Sequence, residues 1–269
     1  MTTPPQSPHP DSMRRLAQQL LLIQCPQEKA RSVRLMDLNT LPIQATEPLE
    51  ALPGIPGRPQ RPLLVHPSKL KTRAVGTLEG RATLIHALAH IEANAVNLAL
   101  DVIWRFDGMP ERFYLDWLQV AREEALHFQL LLGHLKDSGF DYGDFPAHDG
   151  LWEMAEKTQG DLLARLALVP RTLEARGLDA SIPIKNKLIS VGDRKGADIL
   201  DIILRDEIGH VAIGNHWYRY LCAARGLEHV GTYAALAQAY GAPKLKGPFN
   251  LDARRAAGFD EAELAQLCG

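Results

Sequence analysis

Residues 205–210 read RDEIGH and stand inside a long apolar run, ADILDIILRDEIGHVAIGNHWYRYL, spanning 197–221. Ile199, Leu200, Ile203, Leu204 and Val211 recur at helical spacing and form one stripe. Glu207 and His210 lie in that stripe three residues apart, so a helix turns both side chains to one face. An isolated ionised carboxylate on a buried face costs several kcal/mol, so it must be neutral, paired or metal-bound. A lone Glu-x-x-His is commonplace, and by itself it reads as a solvated or hydrogen-bonded pair.

The pattern occurs twice. Glu124 and His127 interrupt a second stripe made by Trp117, Val120, Ala121, Phe128, Leu131 and Leu135. Glu92 interrupts a third, made by Leu84, Ile85, Leu88, Ala89, Ala95, Val96 and Ala99. Glu92 precedes Glu124 by 32 residues (124 − 92), and Glu174 precedes Glu207 by 33 (207 − 174). At about 1.5 Å of rise per residue, such an interval climbs one helix and returns along an antiparallel neighbour to similar height. Four carboxylates and two imidazoles can then meet halfway along a four-helix bundle, a donor set that suits two divalent cations. Glu174 is the least secure member, because Pro170 four residues earlier should break or kink its helix. Glu153 and Glu156 lie on the same segment; Glu156 is 18 residues (174 − 156) from Glu174.

Helical periodicity predicts helices near 77–106, 111–137, 150–176, 195–225 and 228–239, with a short one at 183–191. Gly108-Met109-Pro110, Ser138-Gly139 and Gly226 are stop or start signals. No run alternates with period two, so the expected class is all-α. Before this region, residues 1–11 are expected to lack regular structure, and Asp11 or Ser12 should cap a helix reaching about Cys25. Residues 39–68 hold seven prolines, which predicts an extended strap draped over the main body. The expected organisation is an N-terminal helix and strap (1–75), a helical body (76–240) and a C-terminal extension (241–269), with a last helix starting at Asp260.

The 269 residues carry a formal net charge of −2, which leaves no electrostatic footprint for nucleic acid or an anionic membrane. Cys25, Cys222 and Cys268 form no CxxC and suggest no disulfide framework. Without a signal-like or membrane-length apolar run, the expected location is the cytoplasm. His86 and His90 fall on a different face from Glu92 and are expected at the surface or behind the ligands. His134, His148, His216 and His229 have no partner pattern. Glu123 should face solvent or brace a neighbour, and Trp104, Trp117, Trp152 and Trp217 should pack the core. The basic segment Arg58–Arg73 reads as a solvated part of the strap, or as a cover for an active-site mouth.

The segments LIHALAHIEANAVNLALD (84–101), REEALHF (122–128), VPRTLEARGLD (169–179) and RDEIGHVAIG (205–214) resemble the DUF455 family, and the paired motifs resemble the ferritin-like superfamily of di-iron carboxylate proteins. That resemblance covers roughly residues 70–255. It implies a ferritin-like antiparallel four-helix bundle with extra helices. It also implies two Fe ions, with Mn or a mixed pair as variants, held by Glu92, Glu124, His127, Glu174, Glu207 and His210. Glu92, Glu124 and Glu207 would sit at the reacting centre, and Asp206 matches an acid that hydrogen-bonds a ligating histidine in related enzymes. Radical-generating ribonucleotide reductase subunits carry a tyrosine where this chain has Leu131. Rubrerythrin-like peroxidases place a glutamate where it has Gly177. Ferritin shells are built from shorter chains without the strap.

Three readings are open at this point. The first is an O2-dependent oxidase or monooxygenase acting on a small organic substrate, similar in plan to tRNA-hydroxylase-type members but without their RNA substrate. It needs O2 or peroxide and an electron donor. The second is a non-catalytic metal-binding or stress protein with ferroxidase activity at most. The third is a structural helical module whose acids pair with one another. The oligomeric state stays open, a homodimer included.

Overall fold

The described regular elements are helical, apart from an isolated parallel bridge between Leu64 and Ala147. The computed structural model describes residues 11–37, 41–71 and 73–268; all of the expected N-terminal tail except Asp11 lies outside them, as do residues 39 and 40 of the strap. The longest elements are α3 (Leu78–Arg105), α4 (Glu111–Asp137) and α8 (Arg194–Ala224). None of the described helices is long and apolar enough to cross a membrane.

Contacts fix their directions. Glu92 on α3 meets His127 on α4, while Phe106 just beyond α3 accepts a bond from Tyr114, so these helices are antiparallel. On α4 and α8, Asp116 meets Trp217, His127 meets Asp206, and His134 meets Asp193, again antiparallel. Gly139 and Gly226, just past α4 and α8, adopt φ of 81° and 65°, the left-handed conformation that glycine takes without a steric cost.

The third long segment departs from expectation. Instead of one helix over 150–176 and a short one at 183–191, there is α5 (Gly150–Lys157), a turn, and a continuous helical stretch from 162 to 190. Asp161 restarts the chain by accepting from the amides of Leu163 (2.9 Å) and Ala164 (3.3 Å). The stretch comprises α6 (Leu162–Leu168), a π-helical turn (Val169–Glu174) and α7 (Ala175–Ser190). Contacts Lys185–Asp201 and Arg171–Asn215 set it antiparallel to α8. Arg165 on α6, 1% exposed, pairs with the fully buried Asp101 on α3 at 2.5 Å, with Arg105 on the same acid. Each charge there is met by its partner, because stranding one would cost about 3–5 kcal/mol.

Ser12 caps the first helix, but that helix, α1 (Met13–Leu21), ends early, and Pro26 opens α2 (Pro26–Arg34). Proline at the first helical position loses no intrahelical bond, which is why the chain restarts there. Buried Arg14 donates to the carbonyls of Ile103 (3.2 Å) and Trp104 (2.8 Å), supplying donors to the C-terminal end of α3. Lys29 of α2 donates to Leu21 O, Gly57 O and Asn97 Oδ1; burial, aided by the charge of Arg58, lowers its pKa to about 7. The strap lies along α1 through Met13 N–Pro42 O and Gly57 N–Leu21 O, and Arg58 pairs with Asp149 at 2.6 Å. A cavity of about 240 Å3 remains beneath it against His90, Asn94 and Phe128. The C-terminal region adds α9 (His229–Ala239), α10 (Leu251–Ala256) and α11 (Glu261–Cys268). Asp260 and Glu263 cap α11 reciprocally, each side chain accepting the other's amide at 2.9 Å.

His86 and His90 are not at the surface. Both are buried beneath residues 140–149, which close over α3. His86 Nε2 accepts the amide of Gly143 at 2.9 Å, and His90 Nδ1 is 2.8 Å from the Tyr142 hydroxyl. Burial lowers the His86 pKa to about 4, so the ring stays neutral in the fold and takes up a proton once unfolded, near its ordinary value of about 6.5. Its contribution to stability is therefore present above about pH 6.5 and is lost as pH falls toward 4. Urea unfolding should show that loss, and His86→Gln should remove about 1–3 kcal/mol of the pH-dependent change. Equal slopes in both proteins would contradict it.

Candidate metal centre

Glu92, Glu124, His127 and Glu207 offer ligand atoms that all lie within 4.8 Å of one another, and all four residues are buried. This group could hold a metal ion. His127 presents Nδ1 to Glu92 Oε2 at 3.2 Å and Glu124 Oε2 at 3.4 Å. His210 presents Nδ1 to Glu124 Oε1 at 3.0 Å and Glu207 Oε2 at 3.8 Å. Glu124 thus stands between the two imidazoles.

The outer face of each ring is held by an acid on the other helix. Asp206 of α8 takes His127 Nε2 at 3.0 Å, and Glu123 of α4 takes His210 Nε2 at 2.8 Å. Each of these acids immediately precedes a cluster glutamate. The helical face explains this reciprocity: α4 and α8 are antiparallel, so the residue before each glutamate points sideways, toward its neighbour's histidine. Outer bonds of this kind fix ring orientation and raise the basicity of the inner nitrogen.

Several inner atoms are left over. Glu124 Oε1, Glu174 Oε2, Glu207 Oε2 and His210 Nδ1 are buried without a hydrogen-bond partner. Nδ1 of His210 and Oε1 of Glu124, 3.0 Å apart, do not align as donor and acceptor. The charges are balanced internally instead. Burial, followed by the charge of Glu124, pushes Glu92 well above the usual carboxylate range. Burial and the charges of Glu207 and Glu124 do the same to Glu174, and burial with Glu124 raises Glu207. Burial opposes ionisation of Glu124 too, but His210 and His127 outweigh it and hold that group low. Burial disfavours charge on His127, yet its bonds to Glu124 and Glu92 raise it to about 11; His210 is likewise raised against burial by Glu124 and Glu123. Cations would meet the same charge that these protons now meet.

The π-helical turn accounts for Glu174. Pro170 has no amide to donate, and a π turn absorbs the mismatch by adding a residue to the turn. Thr172 Oγ1 donates to Ala167 O at 2.8 Å, satisfying a carbonyl five residues back. One extra residue rotates the downstream helix by about 100°, and Glu174 comes near enough to Glu207, Glu124 and His210 to feel their charges. It lies outside the tightest group of four. Glu153 and Glu156 are exposed, with Glu156 accepting from Trp152 Nε1 at 2.9 Å. The four tryptophans are buried.

His229 also has partners: with Asp260 and Glu263 it forms a second group of potential ligands. Arg171 and Arg219 already occupy Glu263, and His229 Nε2 is 2.8 Å from Asp260 Oδ2, so this group is an ion-pair network. Its members are 31 and 34 residues apart in sequence (260 − 229 and 263 − 229), which hid the pairing.

The fold and cluster define an all-helical protein with a buried carboxylate–imidazole centre able to take a metal ion. The chain belongs to the family described as protein of unknown function DUF455, which matches residues 19–265. An uncharacterized protein of Haemophilus influenzae is 48% identical over 252 residues, covering 89% of this chain and 88% of that one. No solved structure matches the chain.

The π turn needs Gly214. A Cβ there would come within 2.7 Å of Pro170 Cβ and 2.9 Å of its Cγ, whereas one at Gly209, five residues earlier on α8, meets nothing within 4 Å. Gly214→Ala should destabilise the chain by about 1–3 kcal/mol. Gly209→Ala should stabilise it by about 0.5–1 kcal/mol through helix propensity. Denaturant midpoints measure both, and equal shifts would refute the close contact.

Proposed function

We propose that the chain is a ferritin-like four-helix-bundle protein that holds two iron ions and acts as an O2-dependent oxidase or monooxygenase on a small organic molecule. The observation that carries this reading is the convergence of Glu92, Glu124, His127 and Glu207, whose ligand atoms lie within 4.8 Å of one another, with Glu124 Oε1, Glu207 Oε2 and the neighbouring His210 Nδ1 buried and without partners. Carboxylates with imidazoles suit iron or manganese, and a di-metal pair uses glutamates from four helical segments. Glu124, which faces both imidazoles, would help to hold the ions. Glu92 and His127 would serve one of them, and Glu174, Glu207 and His210 the other. Asp206 and Glu123 orient the rings. When bound, a pair of reduced irons supplies electrons to O2 or peroxide.

The near-complete burial of Glu124 and His127 favours a second reading, in which metal is bound but no organic substrate is turned over. Oxygen uptake dependent on an added organic substrate and reductant separates the two.

Protein purified without chelator should carry about two equivalents of Fe or Mn. Glu124→Ala and Glu207→Ala should lose them, while Asp206→Asn and Glu123→Gln should weaken binding about 10- to 100-fold with the fold retained. Full metal occupancy in both alanine variants, measured by elemental analysis, would overturn the assignment.

A further inference from the structure

A second cavity, of about 100 Å3, lies between the π turn and the C-terminal helices, away from the carboxylate cluster. Two arginines form part of its wall. Arg171 donates through Nε to Asn215 and through Nη2 to Glu263; Arg254 donates through Nε (3.0 Å) and Nη2 (2.6 Å) to Asp179. In each, the remaining nitrogen, Nη1, is buried and has no hydrogen-bond partner. The residues are 3% and 0% exposed. Phe259 stacks near both guanidinium groups, at 5.4 Å from Arg171 and 5.3 Å from Arg254, so their faces are covered and the free edges remain. A buried N–H without an acceptor is destabilising, more so on a charged group, and each of the two arginines lining this cavity leaves its Nη1 unmet.

We propose that this cavity binds a small organic carboxylate, whose oxygens accept from Nη1 of Arg171 and Nη1 of Arg254. Its apolar body would lie against Tyr233, Leu245 and Phe259, which also line the space. Apolar walls disfavour inorganic phosphate, which presents oxygens in every direction, whereas a monocarboxylate is polar at one end only. A cavity of roughly 150 Å3 holds benzene, so this smaller one suits about three or four carbons. Glu263 lines it as well, but its oxygens are engaged by Arg171, by Arg219 and by the amide of Asp260. Its charge is therefore met within the protein. The site shares no residue with the carboxylate cluster and requires no metal. Arg171 does sit three residues before Glu174 in the π turn, so an occupant would brace that turn against the C-terminal helices.

The test is isothermal titration of the full-length, chelator-treated chain with butyrate, with inorganic phosphate and with 1-butanol. Butyrate should bind saturably at one site, and the other two at least roughly tenfold more weakly, the scale of one lost charged hydrogen bond. Arg254→Met removes a donor, and Leu245→Trp fills the cavity without touching either arginine; each should weaken butyrate by a similar factor. Should Arg254→Met fail to fold, Leu245→Trp alone decides. Absence of saturable butyrate binding overturns the proposal. So does equal binding of phosphate or butanol, or undiminished butyrate affinity in Leu245→Trp.

Discussion

Putting Glu124 between two imidazoles, with Glu92, Glu174 and Glu207 around it, is the constraint to which the rest of the helical body answers. Apolar side chains fill much of the space between helices, so these charges are met by one another and by a few groups close by, such as Asp206, Glu123 and Arg165. Four helical segments must therefore agree in height and rotation at one level. The ties that enforce agreement lie above and below it: Asp101–Arg165 between α3 and α6, Asp116–Trp217 and His134–Asp193 between α4 and α8. Each of these ties joins polar or charged groups on neighbouring helices, and the neighbours are thereby held in register.

The two halves of the cluster are related by exchange. Glu123 steadies the histidine of the second motif and Asp206 that of the first, so neither Glu-x-x-His is complete without the helix that carries the other. A change on either helix is felt at both rings. The π turn plays the corresponding part for Glu174, trading regular hydrogen bonding at Pro170 for rotation of the residues beyond it. Gly214 leaves the gap into which the proline ring fits.

Much of this was legible in the sequence because it is periodic. The apolar stripes of α3, α4 and α8, the two Glu-x-x-His spacings and the intervals of 32 and 33 residues are one-dimensional signals of helices that return alongside one another. Asp206 could be read as a brace, and the same position in the first motif, Glu123, carried the same signal. What stayed illegible was set by contacts distant in sequence. The break at 158–161 turns on the cap at Asp161 and the bond from Arg165 to Thr158, and the helix that runs on through Pro183 packs against α8. The burial of His86 and His90 depends on residues 140–149 folding back over α3, and the partners of His229 come from the last helix.

Arg14 has a consequence in time. Its guanidinium reaches carbonyls 89 and 90 residues further along the chain, so the first helix is made long before the groups that complete it. At a translation rate of about 5–20 residues per second, that delay is roughly 5 to 20 seconds, during which α1 has no α3 to dock on. The segment carrying α1 is thus a late-closing clasp: it leaves the ribosome well before α3 and cannot dock until α3 has followed.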